Sequence, residues 1–254
     1  MKLGFIGTGK IASSVITGIC NSDIKFEKII ISPRNKVTAK SLKKKFNKII
    51  IAKNNQEVLD KKNWVFLSIT PKVGEKIIKD LRFKTHQTVV SFISTINLSK
   101  LKKMIRVKST IVRAIPLPPI SLKKGPIPIC PPNKKVKIFF DKIGSTIEIK
   151  NEKLSKNFWA TSGMMASYYD ILRTMSNWLI KKGIKRHDAQ KYITSLFLAL
   201  SEDAVVNSKK DLKFLVKESQ TPKGLNEQGL KEMTKKSVYK SVINTLNSIY
   251  KRLN

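Results

Sequence analysis

Gly4-Phe5-Ile6-Gly7-Thr8-Gly9-Lys10-Ile11-Ala12-Ser13 decides how this chain is read. An apolar run from Lys2 to Ile6 ends at Gly7, and Ile11, Val15 and Ile19 then recur every fourth residue. The first pattern is a short buried strand and the second a helix from Lys10 to about Cys20. Between them stands G-x-G-x-x-A. Gly7 permits a tight turn, Gly9 lets a pyrophosphate approach the backbone, and Ala12 is small enough for the helix to pack closely on a sheet. The helix N-terminus offers free N–H donors and a partial positive charge. In this strand-turn-helix setting the motif predicts dinucleotide binding.

Working outward, the alternation continues. Strands are predicted at 27–31, 49–52, 64–69, 88–93 and 110–115, with helices at 36–46, 55–60 and 73–80 between them. The strands are continuous β-branched runs, the pattern of strands covered on both faces. With crossover helices between them they imply a parallel, doubly wound sheet. Six prolines between Pro118 and Pro132 forbid a continuous helix there. A helix near 136–143 and an edge strand at 146–149 close the first half.

From Asn151 onward the pattern is helical. Met165, Tyr168, Leu172, Met175 and Leu179 share one helix face, and Gly183 ends that helix. A second helix spans 186–207, and Val238, Val242, Leu246, Ile249 and Leu253 form a third apolar stripe. Such stripes must pack on something, and a partner subunit is one way to cover them. The expected organisation is an α/β Rossmann-like domain over 1–150 and an all-helical dimerisation and substrate domain over 151–254.

The end of the second strand refines the cofactor. An NAD site usually has a carboxylate about 20 residues past the glycines, on the ribose 2′-hydroxyl. Here the residues are Ser32-Pro33-Arg34-Asn35. A guanidinium suits a phosphate as a two-pronged donor, so Arg34 with the Ser32 hydroxyl favours NADPH and leaves NADH possible.

Composition bounds the remaining classes. The chain has 254 residues, 41% hydrophobic, with 51 Lys+Arg against 17 Asp+Glu for a net charge of +34. That charge raises nucleic acid or an anionic membrane as partners. Yet the lysines are spread along the chain, in short runs such as Lys43–Lys45 and doublets such as Lys61-Lys62, rather than gathered into an arm, and no stacking module accompanies them. Specific nucleic-acid binding is therefore not expected. Cys20 and Cys130 stand apart, and His86 and His187 lie near no second ligand, so no metal site is expected. No apolar run reaches a membrane span. Lys10 interrupts the apolar N-terminus and no small-x-small cleavage site follows, so the reading is a cytoplasmic protein.

Several segments together resemble the pyrroline-5-carboxylate reductase family. They are the opening fingerprint from Gly4 to Ser13, Ser32-Pro33-Arg34-Asn35, Phe66-Leu67-Ser68-Ile69-Thr70-Pro71-Lys72, Val89-Val90-Ser91-Phe92-Ile93-Ser94 and Val112-Arg113-Ala114-Ile115-Pro116. In the second half, Gly183 to Ala189 and Thr221-Pro222-Lys223-Gly224-Leu225-Asn226-Glu227 are similar to that family's dimerisation helices and substrate loop. The resemblance implies hydride transfer from nicotinamide C4 to the imine carbon of 1-pyrroline-5-carboxylate, giving proline, in a homodimer or larger assembly. It implies cofactor contacts from Gly7, Thr8, Gly9, Lys10, Ile11, Ala12, Ser32, Arg34, Asn35, Asn55, Ser68, Ile69, Thr70, Pro71, Ile93 and Ser94. Substrate contacts would come from Ser162, Lys223, Gly224, Leu225 and Asn226. No side chain is an evident general acid.

The departures from the family cluster around the substrate. Leu117 replaces a polar Asn, Met164-Met165 enter a glycine-rich stretch, and Leu225 replaces a threonine whose hydroxyl would bind substrate. A site built on hydrogen bonds discriminates strongly, so such changes bear on specificity. The alternatives are a paralogue reducing another imine or carbonyl, and a nucleotide-binding regulator without chemistry.

Overall fold

The computed structural model describes residues 1–60 and 62–253; Lys61 of the Lys61-Lys62 doublet and the terminal Asn254 lie outside the described residues. The chain divides into two compact units, Met1–Trp159 and Ala160–Asn254.

The first unit is built on an eight-stranded sheet: β1 (Leu3–Ile6), β2 (Ile29–Ile31), β3 (Ile49–Ile51), β4 (Trp64–Leu67), β5 (Thr88–Ser91), β6 (Thr110–Ala114), β7 (Pro126–Cys130) and β8 (Ser145–Glu148), in the order 3-2-1-4-5-6-7-8. The helices are α1 (Lys10–Cys20), α2 (Lys36–Lys45), α3 (Asn55–Leu59), α4 (Pro71–Asp80), α5 (Leu98–Ile105) and α6 (Lys134–Phe140). Strands β1 to β6 pair in parallel. Alternate side chains enter opposite cores, as the two-residue repeat of a strand requires. Trp64 and Phe66 join Phe5, Val15, Ile16 and Phe139 on one face. Val65 and Leu67 join Ile6, Leu59, Ile78 and Leu101 on the other. That double burial is why the strands read as unbroken apolar runs. Phe5 and Phe66 stack with ring centres 4.3 Å apart, and Trp64 stacks on Phe139 at 4.7 Å.

Two features depart from the sequence reading. The helix α5 was not foreseen, because its surface is occupied by Lys100, Lys102 and Lys103 while Leu101, Met104 and Ile105 are buried. The strand β7 was not foreseen either, and it runs antiparallel to β6 and parallel to β8. Proline inside a strand normally argues against pairing. Here the carbonyls of Gly125 and Ile129 accept from Ser145 and Ile149 on the β8 side, whereas Pro128 O accepts from Ile115 on the β6 side. Pro126 and Pro128 thus lack donors only toward β6, where the pairing is two residues long. The ladder to β8 keeps the Ile127 and Ile129 amides.

The second unit is helical. The helix α7 (Ser155–Ser162) spans the division, and α8 (Met165–Lys181), α9 (Arg186–Val206), α10 (Lys213–Glu218), α11 (Leu225–Lys235) and α12 (Val238–Arg252) follow. Gly183 adopts φ +93° in the turn between α8 and α9, so the expected helix stop is a left-handed turn. Little of this unit is buried. Within α8 and α9 only Ser176, Ala189 and Ile193 are, while Tyr169, Trp178, Tyr192 and Leu198 each expose half or more of their surface. Among the described residues no helix is long and apolar enough to cross a membrane.

Candidate active site

The strand order reverses between β1 and β4, and in open parallel sheets that switch point is where a ligand-binding crevice opens at the strands' C-terminal ends. Gly7 follows β1 there with φ +94°, and a Cβ on it would lie 2.2 Å from the Ser68 carbonyl oxygen beyond β4. Both the backbone angle and the close passage of the two loops require glycine. Its N–H donates to Ser32 Oγ at 3.0 Å, which ties the turn to the end of β2.

Gly9 is different. It caps α1 with an extended backbone, φ −74° and ψ −174°, and a Cβ placed on it would meet no atom of the described residues within 4 Å. The space above the helix N-terminus is open. Ser13 N–H already bonds Gly9 O, so the amides of Lys10, Ile11 and Ala12 are the donors left without an intrahelical partner. No side chain caps this end and no acidic residue stands in the first turn. Thr8 is 2% exposed, and its Oγ1 has no hydrogen-bond partner among the described residues. An open cradle, an uncapped helix end and an orphaned hydroxyl together fit a pyrophosphate.

The other predicted cofactor residues fall along the same edge of the sheet. Ser32 is buried, with its oxygen engaged by Gly7 N–H. Asn35 Oδ1 caps α2 by accepting from Thr38 N–H. Arg34 is exposed beside them with no ion-pair partner among the described residues. Of that turn, Arg34 presents the uncommitted charge, while Ser32 and Asn35 brace backbone. Asn55 opens α3 after β3. Ser68 and Ile69 lead from β4 to Thr70, which precedes Pro71 at the start of α4 and gives that helix no side-chain cap. Ile93 and Ser94 follow β5.

The sequence reading gave no role to Arg113, although a charged residue inside an apolar strand was the available signal. Arg113 is 7% exposed. Its Nη2 donates to the carbonyls of Ser94 at 2.5 Å and Ile93 at 3.4 Å, and its Nη1 pairs with Glu152 at 2.6 Å. Burial pushes the neighbouring Cys130 thiol up from its ordinary value, so it stays protonated and takes no nucleophile's part here.

In the second unit Lys223 to Asn226 form the turn into α11. Lys223 holds a left-handed φ of +61°. A Cβ on Gly224 would sit 2.4 Å from Thr221 Oγ1, so the turn is tight. Glu227 Oε2 accepts from Lys223 N–H at 2.6 Å, and its other oxygen pairs with Lys231 at 2.7 Å. The Lys231 side chain first, then the Lys223 amide, holds the Glu227 carboxyl below the usual carboxylate range. Asn226 Nδ2 is spent on the Ser219 carbonyl at 2.7 Å, and Leu225 is 86% exposed. Ser162 closes α7. Met164, Leu225 and Asn226 line one groove of about 1380 Å³, together with Ile171, Met175 and Met233.

Residues 2–97 match the family described as NADP oxidoreductase, coenzyme F420-dependent. Residues 152–254 match pyrroline-5-carboxylate reductase dimerisation. The pyrroline-5-carboxylate reductase of Vibrio alginolyticus is 23% identical over 260 residues, covering 95% of this chain and 95% of that protein. The solved 1-pyrroline-5-carboxylate reductase of Streptococcus pyogenes shares the fold with a TM-score of 0.82 at 24% identity, over 100% of this chain and 98% of that one. The Plasmodium falciparum pyrroline carboxylate reductase, solved with NADP bound, gives 0.85 at 22%, over 100% and 97%.

A glycine cradle at the switch point of a Rossmann sheet, followed in the chain by a dimerisation domain, makes this an NADP-dependent oxidoreductase. Matches run along both halves: the second half carries the pyrroline-5-carboxylate reductase dimerisation domain, and the chain is similar over nearly its whole length to pyrroline-5-carboxylate reductases.

Proposed function

We propose that this chain reduces the cyclic imine 1-pyrroline-5-carboxylate to proline with NADPH, as a homodimer or larger homo-oligomer. The observation that carries the reading is the open space at Gly9 above an uncapped α1, in a chain that also matches the family's dimerisation domain. When bound, NADPH supplies a hydride to the imine carbon while the nitrogen gains a proton, and NADP leaves oxidised. The protein's part is orientation and charge. The amides of Lys10, Ile11 and Ala12, with Thr8, hold the pyrophosphate. Arg34 takes the 2′-phosphate as an exposed guanidinium with no carboxylate competing in its turn. Ser68 to Pro71, Ile93 and Ser94 line the path toward the reacting end.

For the substrate, Ser162, Lys223, Gly224, Leu225 and Asn226 are the proposed contacts. Lys223, exposed at a left-handed φ of +61°, supplies the positive charge for a carboxylate. A second reading, reduction of a less polar cyclic imine, is favoured by one observation. Leu225 stands fully out of the turn while the Asn226 amide is engaged internally. The exposed apolar faces of α8, α9 and α12 and the groove beside Leu225 support assembly with a second copy, because monomers rarely expose so much apolar surface.

The test is loss of NADPH absorbance by purified protein with and without 1-pyrroline-5-carboxylate. Rapid substrate-dependent oxidation bears the first reading out. Oxidation only with another cyclic imine moves it to the second. NADPH binding without turnover on any imine overturns both.

A further inference from the structure

Arg113 is costly to keep. Its strand neighbours Val112 and Ala114 are wholly buried, and a guanidinium in that setting loses its hydration. Its hydrogen bonds go to one loop and one carboxylate. Two reach the consecutive carbonyls of Ile93 and Ser94, and one reaches Glu152, 39 residues away in sequence. Glu152 uses the same oxygen to accept from Leu98 N–H at 2.8 Å, in the first turn of α5. Asn97 Oδ1 caps that helix through Lys100 N–H at 2.8 Å. The loop from Ile93 to Asn97 is therefore fixed at both ends, by a buried cation at its start and by a carboxylate at the helix it enters.

The position of this loop gives the clip its purpose. The two halves of a dinucleotide lie on opposite sides of the switch point. The end of β2, carrying Arg34, lies on one side, beyond β1. The end of β5, carrying Ile93 and Ser94, lies on the other, beyond β4. We infer that Arg113 and Glu152 are positioning residues for the nicotinamide half of the cofactor, acting through the Ile93 and Ser94 backbone. This rests on the glycine cradle being the NADPH site. The contrast between the two helix ends agrees with it: α1 is left open for phosphate, whereas α5 is already closed by Glu152 and Asn97.

The experiment compares two ligands on the full chain. NADPH reaches both sides of the switch point, and adenosine 2′,5′-bisphosphate reaches only the Gly9 and Arg34 side. Arg113→Lys keeps a charge against Glu152 but offers a single ammonium to three acceptors spread around a planar fork. Glu152→Gln keeps an acceptor for Leu98 N–H and removes the charge, and it serves where the Arg113 variant fails to fold. Each is expected to weaken NADPH binding roughly tenfold, the loss of one charge-assisted contact, and to leave bisphosphate binding unchanged. Equal losses for both ligands, or none for either, would overturn the inference, since the clip would then only hold the fold together. A wild-type chain that binds neither ligand would instead overturn the reading of the cradle.

Discussion

Replacing Gly9 by valine separates the cofactor site from the fold. The added Cβ meets no atom of the described residues within 4 Å, and the backbone at φ −74° and ψ −174° is one that a β-branched residue adopts freely. The folding cost is confined to a poorer N-cap, about 1 kcal/mol, which lowers the melting temperature by about 2–4 °C in a chain of this size. The ligand cost is much larger. The side chain fills the space in front of the Lys10, Ile11 and Ala12 amides. Displacing a phosphate from two of those donors removes about 3–6 kcal/mol, at roughly 1.5–3 kcal/mol for each hydrogen bond to a charged group. NADPH affinity is then expected to fall roughly a hundredfold to ten-thousandfold. The assay is fluorescence titration with NADPH beside a thermal melt. NADPH affinity within threefold of the wild type would refute the reasoning, and so would a melting temperature lowered by more than about 10 °C, which would make Gly9 a structural residue. Gly7→Ala is the counterpart. With φ +94° and a carbonyl 2.2 Å from the new Cβ, it is expected to destabilise the unit by about 3 kcal/mol or more, read as a lower denaturation midpoint.

Arg34→Ala removes an exposed guanidinium, so the melt stays unchanged while the preference for NADPH over NADH falls roughly tenfold or more, as measured by the two dissociation constants. Lys223→Gly relieves a left-handed backbone and is expected to raise stability by up to about 1 kcal/mol, while KM for the imine rises because the carboxylate loses its cation. Glu227 has its folded pKa depressed. Its contribution to the α11 turn is present above the unfolded carboxyl value and lost as pH falls through the lower folded one, so amide-exchange protection at Lys223 should fall only in acid. Burial, offset in part by Lys48 and Lys45, raises the Cys20 thiol to about 11. That contribution is complete below the unfolded thiol pKa and is lost as pH rises toward the folded one. Mass spectrometry should find Cys20 unalkylated by iodoacetamide at pH near 8 in the native chain and alkylated after denaturation.

Local patterning made most of the first unit legible. The helix α1 was predicted from Lys10 to Cys20 and found there, since its four-residue apolar repeat and its glycine start are both short-range signals. The β-branched runs predicted strands, and the structure places them in a sheet covered on both faces. The α5 surface lysines concealed three buried residues, and the Pro126 and Pro128 pair concealed a strand whose missing donors face its briefly paired side. In the second half, α10 and α11 went unpredicted because α10 is only six residues long and the large apolar residues of α11 are sparse, Leu225, Leu230 and Met233.

At the site the division is sharper. The sequence by itself determined the cradle, because Gly7, forced by its left-handed turn against the Ser68 carbonyl, Gly9, which leaves the helix end open, and Ala12 in the first helical turn all lie in one short segment. It determined the charge of the β2 turn for the same reason. Only the tertiary structure decided that Ser32 braces Gly7, that the space at Gly9 is open, and that Arg113 and Glu152 meet at the loop after β5. Those contacts join residues 25 and 39 positions apart. Their partners are set by strand order and register, which no periodicity along a single segment encodes.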